Sequence, residues 1–109
     1  MPYLNAIEYY SDRVWGPRRR ALEKEATAKV LNKVGLHARP ATLFVEAAKR
    51  FSCEIRVEKE GLAVDAKSIL GILRLGAEYG SVVKIRANGE DAEEAVRELV
   101  SLIERRFDE

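Results

Sequence analysis

The chain has 109 residues, 47% of them apolar, which suits one domain with a core of its own. A single Cys excludes an internal disulfide, and one Cys with one His falls short of the usual tetrahedral zinc set, so neither metal nor cofactor is expected. With 19 basic and 18 acidic side chains the net charge is +1, which gives no argument for nucleic acid.

No stretch approaches the roughly 20 apolar residues of a membrane span, and the N-terminus lacks the layout of a signal peptide. A cytoplasmic protein without membrane insertion is the expectation. The charge is unevenly spread. Residues 1–25 carry a net +1, residues 26–89 a net +5 and residues 90–109 a net −5. A basic middle suits an acidic partner or a phosphate, whereas the acidic end reads as the solvated side of a helix.

Residues 1–25 form an N-terminal extension, separated by composition from a domain at 26–109. Half of the eight aromatic residues fall in its first fifteen positions. Tyr3, Ile7, Tyr10 and Val14 lie on one helical stripe, which predicts an amphipathic helix over 4–15, ended by Gly16-Pro17. The open face of a sheet would receive such a helix. Arg18-Arg19-Arg20, with Glu23 and Glu25 close by, is too short a run to mark a nucleic-acid site.

From residue 26 onward, alternation and helical spacing take turns. A strand is expected over 26–33, with Ala28, Val30 and Asn32 on one side. A helix follows over 38–51, with Leu43, Phe44, Ala47, Ala48 and Phe51 facing inward. Residues 53–59 alternate strictly, Glu60-Gly61 is a turn signal and Leu62 to Ala66 completes a hairpin. Residues 68–75 predict a short helix begun by Ser68 and closed by Gly76. A last strand covers 82–87. The final helix, over 91–106, buries Ala92, Ala95, Val96, Leu99, Leu102 and Ile103, with acids in its first turn and Arg105 and Arg106 in its last. The order β-α-β-β-α-β-α predicts a two-layer α+β domain, with helices on one face of a sheet whose alternation favours antiparallel pairing.

The only His, His37, lies between the first strand and first helix, in Gly35-Leu36-His37-Ala38-Arg39-Pro40-Ala41. Pro40 belongs in a first helical turn, where its missing N–H costs nothing, so His37 falls at or beside the N-cap. The free N–H groups of that turn, together with Arg39, make an anion site. The positive helix end also favours the neutral, nucleophilic ring. Neutral nucleophile, phosphate-shaped donors and a cation together suggest transient phosphorylation on His37.

Residues 32–42 (NKVGLHARPAT) and 67–76 (KSILGILRLG) resemble the two signature segments of the HPr family, the histidine-containing phosphocarriers of the bacterial phosphoenolpyruvate:sugar phosphotransferase system. The His-to-Ser interval and the closing GEDAEEAVRELVSLIE are similar too. The resemblance covers residues 26–109. It implies an open-faced β-sandwich, four antiparallel strands under three helices. It implies that His37 is phosphorylated on Nδ1 by Enzyme I and dephosphorylated by a sugar-specific A domain, with Arg39 steadying the phosphoryl group. Ser68 matches a regulatory Ser that an ATP-dependent kinase phosphorylates in many members. Ala38, Pro40, Ile69, Leu70 and Leu73 match the surface that meets partners. The resemblance makes the protein a carrier rather than an enzyme with turnover of its own. A regulatory relative, binding a transcription factor or metabolic enzyme according to phosphorylation state, is the other reading on this fold; a regulator without carrier activity would have the His replaced. An RNA-binding module would want aromatic residues on the sheet, and Cys53 to Lys59 and Val82 to Ala87 contain none.

Overall fold

Alternation of side chains along four short segments builds one sheet. In a computed structural model, which describes residues 22–108, β1 (Glu23–Lys29), β2 (Glu54–Lys59), β3 (Leu62–Asp65) and β4 (Val82–Asn88) pair antiparallel in the order β1-β4-β2-β3. Helices α1 (Ala38–Lys49), α2 (Ile69–Leu75) and α3 (Ala92–Glu104) complete the chain, with α3 against β1 and β4, α2 against β3, and α1 beside both other helices. This is the open four-stranded sheet with three helices that the sequence predicts.

The core lies between the layers. Val30, Ile55, Val57, Val83 and Ile85 from the sheet side meet Phe44, Ile72, Leu99 and Ile103, all nearly or wholly inaccessible. Burying each such side chain contributes about 1.5–3 kcal/mol before entropy is counted. All six residues expected on the inner stripe of α3 are buried. Cys53 also faces the core, and burial pushes its thiol up to about 11, with Asp91 adding to the effect. It is a small apolar filler at neutral pH.

Local punctuation follows the expected residues. Glu60 and Gly61 both take positive φ (50° and 87°) and close the β2–β3 hairpin. Ser68 caps α2, its Oγ accepting from the Gly71 N–H at 3.0 Å. Gly76 ends that helix at φ 66°. Lys67 Nζ donates to the Phe51 carbonyl at 2.6 Å, tying the start of α2 to the chain leaving α1.

Several boundaries differ from expectation, the end of α1 at Lys49 short of Phe51 among them, and two have a visible cause. The first strand was expected over 26–33, but β1 runs Glu23–Lys29 and crosses the boundary expected after residue 25. The ladder with β4 reaches Glu23↔Asn88, and Arg86 pairs with Glu25 at 3.2 Å and Glu23 at 3.7 Å, which draws in the polar residues. Beyond Val30 the chain turns away at Asn32, which is buried but no longer in a strand. At the other end, α3 stops at Glu104, so Arg105 and Arg106 fall just outside its last turn. Phe107 folds back to 4% exposure, and Arg106, Phe107 and Asp108 all take positive φ to make that reversal.

The helix expected over 4–15 lies outside the described residues. The open sheet face that would receive it is charged: Glu25, Arg86, Arg56 and Asp65 stand in one cross-strand row, and Arg86 also reaches Glu58 at 3.9 Å.

Candidate functional site

The segment that delivers His37 is fixed on both sides. Upstream, the Asn32 side-chain nitrogen donates to the Gly35 carbonyl at 2.8 Å, and the Gly35 N–H donates back to the Asn32 carbonyl at 3.2 Å. Gly35 has φ +69°, and a Cβ there would stand 2.4 Å from the Ala77 carbonyl oxygen, so glycine is required on two counts. Leu36 is fully buried and its N–H donates to the Ala77 carbonyl at 2.9 Å. Downstream, Pro40 and Ala41 are buried in the first turn of α1.

Between these anchors His37 is the N-cap of α1, with extended backbone (φ −130°, ψ 167°). Its carbonyl accepts from the Ala41 N–H at 3.4 Å, whereas its imidazole makes no capping hydrogen bond and is half-buried. Ala38 takes φ +51°, an orientation that costs a Cβ-bearing residue roughly 1–2 kcal/mol. Among the described residues the Ala38 and Arg39 amides have no carbonyl acceptor, as the first turn of a helix leaves them. They face the same end as the imidazole, and their partial positive charge suits an anion. Arg39 is exposed at the second helical position and lines a surface cleft with Glu46, Arg50, Glu98, Arg105 and Asp108. Of the residues expected to present surface here, Ala38 is exposed and Pro40 is not: Pro40 shapes the first turn instead.

The second expected segment splits cleanly. On α2, Ile72 and Leu75 are buried, while Ile69 (40%), Leu70 (70%) and Leu73 (39%) are exposed. A seven-residue helix thus carries three exposed large apolar side chains. Ser68, at its head, is half-buried; its N–H donates to the Asp65 carbonyl at 3.1 Å and its carbonyl accepts from Ile72 at 3.0 Å. Gly71 sits where an added Cβ would meet the Asp65 carbonyl at 3.2 Å, which explains a glycine inside a helix. α1 and α2 pack side by side, and Gly35, two residues before His37, meets Ala77 just past the end of α2.

Sequence reasoning placed Asn32 inward but did not see its clamp on Gly35; the signal was a polar residue at an inward strand position. It also missed Asp91, whose carboxylate accepts from the backbone N–H of Ser52 at 2.8 Å and of Cys53 at 3.0 Å. These bonds, the Ser52 N–H first among them, hold the Asp91 carboxyl below its usual range.

Comparison with known proteins bears on this site. The family model described as "PTS HPr component phosphorylation site" matches residues 24–105. The HPr-like protein Crh of Halalkalibacterium halodurans is 44% identical over 84 residues, covering 77% of this chain and 98% of the relative. The phosphocarrier protein HPr of Cupriavidus necator is 39% identical over 88 residues, covering 81% and 97%. Among solved structures, HPr-C-His from Thermoanaerobacter tengcongensis superposes with a TM-score of 0.78 at 56% identity, covering 79% of this chain and 97% of that one.

Proposed function

The chain belongs to the HPr family of the phosphotransferase system, whose members carry phosphate rather than catalyse a turnover of their own, and from that membership we propose that it takes a phosphoryl group from Enzyme I on His37 and hands it to a sugar-specific A domain. The observation that carries the reading is His37 at the N-cap of α1, beside the unpaired Ala38 and Arg39 amides.

Neutral His37 attacks the phosphorus of a phosphohistidine on Enzyme I through Nδ1. The new P–N bond forms as the donor's P–N bond breaks. The proton on the other nitrogen of His37 is released, and the departing ring takes one up, so no net charge is created. The first-turn amides and the Arg39 guanidinium hold the phosphoryl oxygens, mainly by position and charge. The phosphoramidate stays reactive, so the next His in line can accept it by the same step in reverse. The exposed Ala38, Ile69, Leu70 and Leu73 dock the partners, and the cytoplasm is where the partners are met.

Ser68 supplies regulation in this reading. A kinase that phosphorylates it adds two negative charges at the head of α2, beside the apolar face, which weakens docking on an acidic partner. Relatives that are HPr-like rather than phosphocarriers by name keep the regulatory reading in view, but the retained His37 favours the carrier.

Incubation with Enzyme I and phosphoenolpyruvate tests the proposal. An acid-labile, base-stable phosphate is expected on the chain and absent from His37→Ala. Its persistence in that variant overturns the assignment.

A further inference from the structure

The seam between Gly35 and Ala77 brings a second set of exposed side chains to the His37 end. Gly35 packs on the Ala77 and Glu78 backbone, and Val34, immediately before it, is 49% exposed. Tyr79, immediately after Glu78, is 66% exposed. Among the described residues it is the one aromatic ring left in solvent: Phe44 and Phe107 are buried and Phe51 is half-buried.

The turn that carries Tyr79 is tied at both ends. The Ser81 N–H donates to the Glu78 carbonyl at 2.9 Å, and the Glu78 N–H donates to Ser81 Oγ at 2.9 Å. The Gly80 N–H donates to the Val30 carbonyl at 2.7 Å, and the Val30 N–H to the Ser81 carbonyl at 2.8 Å. A ring with two side-chain torsions on a fixed backbone has little entropy to lose on binding. Tyr is also among the residues that dominate interface energetics when buried at a contact.

The chain on either side of the seam is basic on balance, with Glu46 and Asp65 at the margins of its basic runs. Residues 26–45 hold three basic side chains and no acid, and residues 66–77 hold two and no acid. Glu78 is the exception on the turn itself. The open sheet face, by contrast, has its charges paired across strands.

We propose that the docking surface continues from the α2 face across the Gly35–Ala77 seam to Val34 and Tyr79, with Tyr79 as an aromatic anchor for a phosphohistidine-bearing protein whose contact face is apolar and ringed by carboxylates. This rests on the phosphocarrier reading and adds a specificity-determining residue to it. Tyr79 touches the partner and not the reacting atoms, so it sets how tightly the chain docks and leaves the chemistry at His37 unchanged.

The test uses the full chain, Enzyme I with phosphoenolpyruvate as one donor, and phosphoramidate as a small donor that needs no docking. In Tyr79→Ala the KM for the chain in Enzyme I-dependent phosphorylation is expected to rise about tenfold, with kcat and the phosphoramidate rate unchanged. Tyr79→Phe keeps the ring and stays near wild type. Leu22→Ala, which trims an exposed apolar residue at the far end of β1, leaves KM unaltered. An unchanged KM in Tyr79→Ala overturns the anchor, as does an equal loss with phosphoramidate, which would place the effect at His37. If the wild-type chain is phosphorylated by phosphoramidate but never by Enzyme I, the underlying reading fails instead.

Discussion

The side chain of Asn32 holds the carbonyl of Gly35 at 2.8 Å, five residues before His37, and does so while almost wholly buried. The contact closes the loop by which β1 hands the chain to α1. Asn32→Ala leaves the Gly35 carbonyl without its donor, at a cost of about 1–3 kcal/mol. Urea unfolding measures the stability. Initial phosphorylation rates by phosphoramidate, compared where both proteins are folded, report whether the His37 turn has loosened as well.

Gly35 is the stricter position. Its φ of +69° disfavours any Cβ, and the Cβ would press on backbone that has no side-chain freedom to yield. Gly35→Ala is expected to lose about 2–4 kcal/mol, the sum of a left-handed penalty and local overpacking. Gly61 is the comparison: it also has positive φ, but a Cβ there meets nothing within 4 Å. Gly61→Ala should therefore lose only the conformational share. Equal losses in thermal unfolding would show that the Ala77 contact carries no energy.

Ser68 separates capping from charge. Ser68→Ala removes the acceptor for the Gly71 N–H and should cost about 1 kcal/mol. Ser68→Asp keeps a side-chain acceptor at the N-cap, so its stability stays close to wild type. If a negative charge at the head of α2 hinders docking, Ser68→Asp raises the KM with Enzyme I while Ser68→Ala leaves it unchanged. The reverse order would remove the electrostatic account of Ser68 regulation.

The features legible in the sequence are the local ones. Alternation in Cys53 to Lys59, the Ser68 and Gly76 caps and the apolar stripe of the last helix each depend on neighbours a few residues apart, and each appears where the residues predict it. His37 and Arg39 were placed on a first turn because Pro40 marks one. The misses are set at a distance. Glu23 to Glu25 have no apolar signal, and join β1 through the ladder with β4, where Arg86 pairs with Glu23 and Glu25. Arg105 and Arg106 leave the helix because Phe107 finds the core. The burial of Pro40 and the exposure of Tyr79 are set by tertiary packing, which local spacing does not encode.

Leu70 tests the apolar face without touching the core. At 70% exposure it contributes little to the fold, so Leu70→Ser should change stability by less than about 0.5 kcal/mol. Ile72, two residues on, faces the other way and is fully buried, so Ile72→Ala should cost about 2–5 kcal/mol. A rise in KM with Enzyme I for Leu70→Ser, at unchanged melting temperature, is the expected result. A large drop in melting temperature would mean that this side chain belongs to the core after all.

Asp91 makes the fold sensitive to acid. Its carboxylate accepts the Ser52 and Cys53 amides, linking the start of β2 to the start of α3, and its folded-state ionisation lies below the ordinary value of 3.8. A depressed carboxyl stabilises the fold above its unfolded value, and that contribution is lost as pH falls through the folded one. The carboxylate is partly exposed, so screening limits the gain to about 1 kcal/mol. Asp91→Asn keeps one acceptor and loses the charge. Near pH 7 it should unfold at lower urea than wild type. The two midpoints should converge in acid, as pH falls below the ordinary carboxylate range and the wild-type carboxyl also becomes protonated. A gap that persists unchanged in acid would assign the difference to packing rather than to the carboxylate charge.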